Sequence, residues 1–173
     1  MTPAITESAL YSALRAFLLA VAPSATEVVR GNVNRVPMPK AASLIVMTEV
    51  RREQLAQTTH AYAPPTDPIP AIGSETVARS TAIHIQLDVY GEAAADTAQV
   101  ITTLFRDAWG CDFLASRNVA PLYATEPMNM PLVTGESQYV QRRIVTVALQ
   151  ANVEVTVPAE FADNLITTLV EVT

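Results

Sequence analysis

The stretch VARSTAIHIQLDVY, Val77–Tyr90, decides how this chain folds. Thr81, Ile83, Ile85, Leu87 and Val89 alternate with Ala82, His84, Gln86, Asp88 and Tyr90, the period of two that belongs to a strand with one core face and one mainly polar face. At about 3.3 Å per residue such a strand spans roughly 46 Å, well beyond the usual five or six residues. It must either bend or project past its own domain. A second long strand is predicted at Gln138–Val153, where Tyr139, Val145, Val147, Leu149 and Ala151 alternate with Val140, Arg142, Ile144, Thr146 and Gln150. Both of its faces read as at least partly covered.

Working outward, Gly91 stops the first strand and Glu92–Trp109 is the strongest helix, with Ala94, Ala98, Ile101, Phe105 and Ala108 on one face and Gly110 as its expected terminator. Asp112–Ser116 is predicted to add a further turn, Ala120–Thr125 a short strand and Glu126–Gly135 a loop. Upstream, residues 7–21 form a first helix capped by Thr6 or Ser8, with Leu10, Leu14, Phe17, Leu18 and Val21 at helical spacing, and Pro23 ends it. Glu27–Pro39 is a short strand followed by an ordered, turn-rich connection, and Ser43–Val50 is a strand. Gln57–Thr76 carries Pro64, Pro65, Pro68, Pro70 and Gly73 without periodicity, so it is predicted to be a proline-rich loop, either an arm or a hairpin tip. After Pro158, a helical turn at Ala159–Asp163 and a last strand at Leu165–Val172 complete the chain. Helix, strands, helix and strands in that order predict an α+β fold over residues 1–173, one domain with an antiparallel or mixed sheet and its helices packed on one side.

Composition narrows the function. The chain has 173 residues, 50% hydrophobic and only 16% charged, enough to bury a core without disulfides or a metal. The charge deficit suggests that some surface is meant for protein contact. No stretch reaches the ~18 apolar residues of a membrane span, and the start lacks the pattern of a signal peptide, so the expectation is a soluble protein that is not secreted. A net charge of −6 argues against a grip on nucleic-acid phosphates. The single cysteine, Cys111, suits a reducing compartment.

Chemistry-bearing patterns are sparse. His60 and His84 are the two histidines and neither has a second ligand at metal-site spacing; Cys111 has no base in view. The five glycines form no phosphate loop. Acidic pairs such as Asp88 with Glu92, or Asp96 with Asp107, are not placed around a shared cleft by their spacing. No catalytic, cofactor or metal residue is expected.

Four segments combine turn-forming or apolar character with specific polar residues: RGNVNRVPMP at 30–39, QLDVYGEAAADTA at 86–98, APLYATEP at 120–127 and GESQYVQRR at 135–143. In that order, from about Ala13 to Val172, they resemble the phage neck terminator family, the tail-terminator proteins of tailed bacteriophages and prophages. The resemblance implies a non-enzymatic virion protein of the tail and neck, assembled in the bacterial host cytoplasm. It implies a homo-oligomeric ring, commonly a hexamer, that seats on the tail tube, stops its growth and meets a head-side connector. Its partners would be copies of itself, the tail-tube protein, the sheath where there is one, and the connector. DNA would pass through the lumen without sequence-specific binding, and no membrane is involved. Candidate interface residues are Asn32, Asn34, Arg35, Pro37 and Pro39 in the turn-rich connection and His60, Pro64 and Pro65 in the proline-rich segment. The alternatives are another head-to-tail completion or neck ring protein, or a monomeric ligand-binding module.

Overall fold

A computed structural model describes residues 3–32, 42–65, 72–133 and 139–160. In chain order the elements are α1 (Glu7–Val21), β1 (Thr26–Arg30), β2 (Ser43–Gln54), β3 (Thr59–Ala63), β4 (Ile72–Tyr90), α2 (Ala94–Phe105) and α3 (Ala108–Ala115). They continue with β5 (Ala120–Ala124), β6 (Met128–Asn129), β7 (Leu132–Val133), β8 (Tyr139–Val140) and β9 (Arg142–Glu160). The main sheet runs β1-β2-β4-β9-β5, with β3 added to β4 and β6 to β9, while β7 and β8 pair separately. Every pairing is antiparallel except β1 with β2. The fold is therefore one α+β domain with a mixed sheet and its helices on one side.

The two long alternating segments pair with each other. β4 and β9 run antiparallel in unbroken register from Ile72↔Glu160 to Tyr90↔Arg142, a ribbon roughly 60 Å long. Ile83, Ile85, Leu87 and Val89 of β4 and Val145, Val147, Leu149 and Ala151 of β9 are buried on the helix side. Against them lie Leu10, Leu14, Phe17 and Leu18 of α1 and Ala98, Ile101 and Phe105 of α2. Phe17 is the hub, meeting the ring of Phe105 edge-on at 5.7 Å and the rings of Trp109 and Phe113 at 5.9 and 6.1 Å. Thr6 caps α1 by accepting the Ala9 N–H at 3.2 Å.

Several expectations are corrected. β4 begins at Ile72 rather than Val77, and β3 occupies Thr59–Ala63, so the stretch expected to be a loop is strand at both ends. Its prolines hide this by falling after β3, at Pro64 and Pro65, and between the strands. β2 runs on to Gln54 past a bulge between Glu49 and Arg51, which turns Val50 out of register. The helix expected over 92–109 breaks at Arg106–Asp107 into α2 and α3. Gly110 does not end it: buried within α3, it lies so close to the Leu104 carbonyl that any Cβ would overlap it. Glycine there lets α3 cross the end of α2.

The expected loop at 126–135 contains β6 and β7. β9 continues through Pro158 and Ala159 to Glu160, so no helical turn starts there. Pro158 is tolerated because its position faces away from β4. Backbone groups of residues four and twelve places earlier already do so: Glu154 O accepts from Ala4 N, and Thr146 O accepts from Thr125 N. On an outward position a missing N–H breaks no ladder bond. The predicted strand at Leu165–Val172 lies outside the described residues.

Candidate assembly surfaces

The helix layer covers only part of the ribbon. Beyond Thr81 and Ala151, β4 and β9 continue as Ile72–Ser80 and Asn152–Glu160, joined on one side by β3 to form a three-stranded arm. Alternation carries the core-facing row out along this arm, so Val77, Val155 and Val157 share the face of Ile83 and Leu149 and are half-buried. β3 adds His60 opposite Val77 and Tyr62 opposite Glu75, and Tyr62 is 68% exposed. A polar trio breaks the apolar row. His60 Nδ1 and Glu75 Oε1 lie 2.5 Å apart. Hydrogen bonds from His60, and secondarily from Tyr62, hold the Glu75 carboxyl below its usual range, and the same bond raises the Tyr62 phenol.

A second apolar surface sits at the opposite end of the ribbon. Met128 pairs with Ile144 near the start of β9, and the β7–β8 pair follows directly. Met128, Met130, Leu132, Val133 and Tyr139 are all exposed there, Tyr139 by 78%. Sequence reading passed over this surface by assigning Glu126–Gly135 to a loop. The available signal was four large apolar residues in a segment with no core periodicity to absorb them, followed by Tyr139.

The sheet face away from the helices buries Leu44, Val46, Ala82, Ile144 and Ala148 around a polar network. Arg142 donates through Nε and Nη2 to one oxygen of Asp88, at 3.1 and 2.8 Å, and Gln86 Nε2 donates to the same carboxylate. His84, 3% exposed, lies 3.3 Å from both Glu53 Oε1 and the Tyr123 hydroxyl. No buried side-chain polar atom among the described residues lacks a partner, and no group of three or more metal-binding side chains occurs among them. The arrangement fixes the strands in register.

The sequence-predicted interface residues are scattered. Asn32 is exposed with φ at 59°, beside a groove lined by Glu7, Tyr11, Arg30 and Arg52. Arg30 pairs with Glu7 and stacks over the Tyr11 ring at 4.3 Å. Asn34, Arg35, Pro37 and Pro39 lie outside the described residues. His60 is on the arm, and Pro64 and Pro65 follow the end of β3, so these three share one surface that does not include Asn32.

The segments that carried the family resemblance have structural work within the subunit. Asp88 of one motif binds Arg142 of another, and Gly91 N donates to Gln141 O at 3.2 Å. Gly91 has φ of +116°, and a Cβ there would overlap the Ala42 carbonyl. Tyr123 of the third motif holds His84. These motif residues lock β4, β5 and β9 together.

No curated protein matches the chain. A chain from the solved virion of a native gene transfer agent (GTA) particle aligns with 85% of this chain and 92% of its own length, at 16% identity and a TM-score of 0.31. The model of the family described as phage neck terminator protein matches residues 8–172. That match spans nearly the whole sequence, so the chain belongs to the phage neck terminator protein family, structural proteins of the virion's tail and neck.

Proposed function

We propose that this chain forms a homo-oligomeric ring of six copies at the head-proximal end of a phage tail, where it ends tail-tube growth and joins the tail to the connector. The observation that carries the reading is the arm. Three strands extend past the helix layer with an apolar row on one face, and a sheet of that kind gains little stability alone. It becomes useful when a neighbour covers it. Family membership supplies the place of action, and the satisfied polar network supports a role carried by shape rather than by catalysis.

A closed ring requires heterologous contacts, in which one patch of each subunit meets a different patch of the next. Two separated apolar surfaces on one chain suit that requirement. The net charge of −6 per copy suits a lumen through which DNA passes without adhering. Assembly takes place in the host cytoplasm, with the tail-tube protein, the sheath in a contractile tail and the head-side connector as partners.

The test is mass in solution across a concentration series, followed by electron microscopy with purified tail tubes added. Rings seated on tube ends are the expected result. A particle that stays monomeric at high concentration and ignores tubes would overturn the reading in favour of a ligand-binding module. Rings that bind the connector but never the tube would make it a different neck ring protein.

A further inference from the structure

We infer that the arm of one copy docks its helix-side face onto the Met128–Tyr139 surface of the next copy. This deepens the ring reading above and rests on it. The first argument is distance. The arm lies at the Ile72/Glu160 end of the ribbon and the second surface at the Tyr90/Arg142 end, roughly 60 Å apart along a continuous pair of strands. They cannot cover each other within one subunit. Two different patches at opposite ends of a rigid element form a head-to-tail contact, the kind that closes a ring.

The second argument is the fit of the surfaces. The arm offers a flat row of β-branched side chains, Val77, Val155 and Val157, with the exposed Tyr62 ring beside it. The opposite surface offers Met128 and Met130, unbranched side chains that fill irregular gaps against such a row, with Leu132, Val133 and Tyr139 around them. The third argument is charge. Counting both faces, the arm carries Glu75, Glu154 and Glu160 against Arg79; Glu75 and Arg79 share the docking face, and Glu154 and Glu160 lie on the opposite one. The described residues 128–133 and 139–143 carry Arg142 and Arg143 and no acid. Arg142 is paired with Asp88, while Arg143, opposite Asn129 on β6, is in no ion pair among the described residues. The net acidity of the arm steers it toward a basic end and disfavours arm-to-arm pairing.

The experiment uses two single-cysteine variants of the full chain, Tyr62→Cys and Met130→Cys, each in a Cys111→Ala background. They are mixed, with and without tail tubes, and treated with a short thiol-to-thiol cross-linker, and the mass of each untreated sample is measured in parallel. The expected result is a covalent dimer in the mixture that contains one copy of each variant, with neither variant linking to itself. Tyr62→Cys linking to itself would show a two-fold contact between arms and overturn the inference. Rings by mass with no mixed product would overturn it while leaving the ring reading intact. Monomers under all conditions would overturn both. Met130→Cys linking to the tube protein instead of the arm would assign that surface to the tube and also overturn it.

Discussion

Arg142 reaches diagonally across the β4–β9 ladder to place Nη2 2.8 Å from the Asp88 oxygen that Gln86 also contacts, and its guanidinium stands 5.7 Å from the Tyr90 ring centroid. The pair is largely enclosed, with 22% of the Arg142 side chain and 9% of the Asp88 side chain exposed. Removing one partner leaves the other charge poorly solvated. Asp88→Ala is therefore expected to lower unfolding free energy by about 2–3 kcal/mol, measured as a fall in the urea midpoint with unchanged slope. Asp88→Asn keeps an acceptor for Arg142 and is expected to cost less. Equal losses for the two would show that the ion pair contributes nothing beyond its shape.

Gly91 turns the chain out of β4 with φ of +116°, where an added Cβ would overlap the Ala42 carbonyl. Gly91→Ala is expected to destabilise the fold by about 1–3 kcal/mol, and the same measurement checks it. A neutral result would mean that the turn relaxes without strain.

Phe17 is fully buried among three aromatic rings, one from α2 and two from α3. Phe17→Ala is expected to cost about 3–5 kcal/mol, enough to lower the thermal midpoint by many degrees. Leu19→Ala, on the exposed face of the same helix, is expected to change little.

The main strands and α1 were legible because burial on one side writes itself as a period in the sequence. Ile83 to Val89 and Leu10 to Leu18 show it plainly. Legibility failed where that pressure is absent. In β3 every residue is exposed, and in the first part of β4 neither face is fully covered, so no alternation marks them. Gly110 misled because glycine after a helical stretch signals an end, while here it serves a close crossing of α3 over the Leu104 carbonyl. The candidate surfaces were hardest to see, since an apolar residue awaiting a partner looks in sequence like an apolar residue in a loop. The motif residues, by contrast, were visible, and Asp88, Gly91, Tyr123 and Arg142 act within the subunit.

Glu75 couples β3 to β4 through His60 and Tyr62, and those hydrogen bonds hold its folded-state pKa below the ordinary 4.5. A depressed carboxyl contributes stability that is complete above the unfolded value and is lost as pH falls through the folded one. The arm is therefore expected to loosen on the acid side of the usual carboxylate range, while the core holds. The measurement is the Tyr62 ring resonance and the β3 amide resonances followed through an acid titration. Glu75→Gln, which cannot ionise, is expected to remove that transition. A transition that survives in Glu75→Gln would assign it to another group.

The orientation of the arm's backbone makes opposite predictions for neighbouring residues. Thr156 has the same parity as Thr146 and Glu154, whose carbonyls accept from outside the ribbon, and the Thr76 and Thr156 hydroxyls meet at 3.1 Å as expected of a pair not bonded through its backbone. Val155, opposite Val77, must then donate its N–H into the β4–β9 ladder. Val155→Pro is expected to destabilise the arm by about 3 kcal/mol or more, while Thr156→Pro places its ring on the same outward side of β9 as that of Pro158 and leaves the ladder intact. Hydrogen exchange of the β4 amides from Ile72 to Ser80 reads the difference: faster in Val155→Pro and near wild type in Thr156→Pro. The reverse order would place the outward groups on odd-numbered residues and remove the explanation given for Pro158. Because the substitutions lie beyond the helix layer, both variants should keep the core's unfolding transition, so loss of ring formation in Val155→Pro alone would tie assembly to the order of the arm.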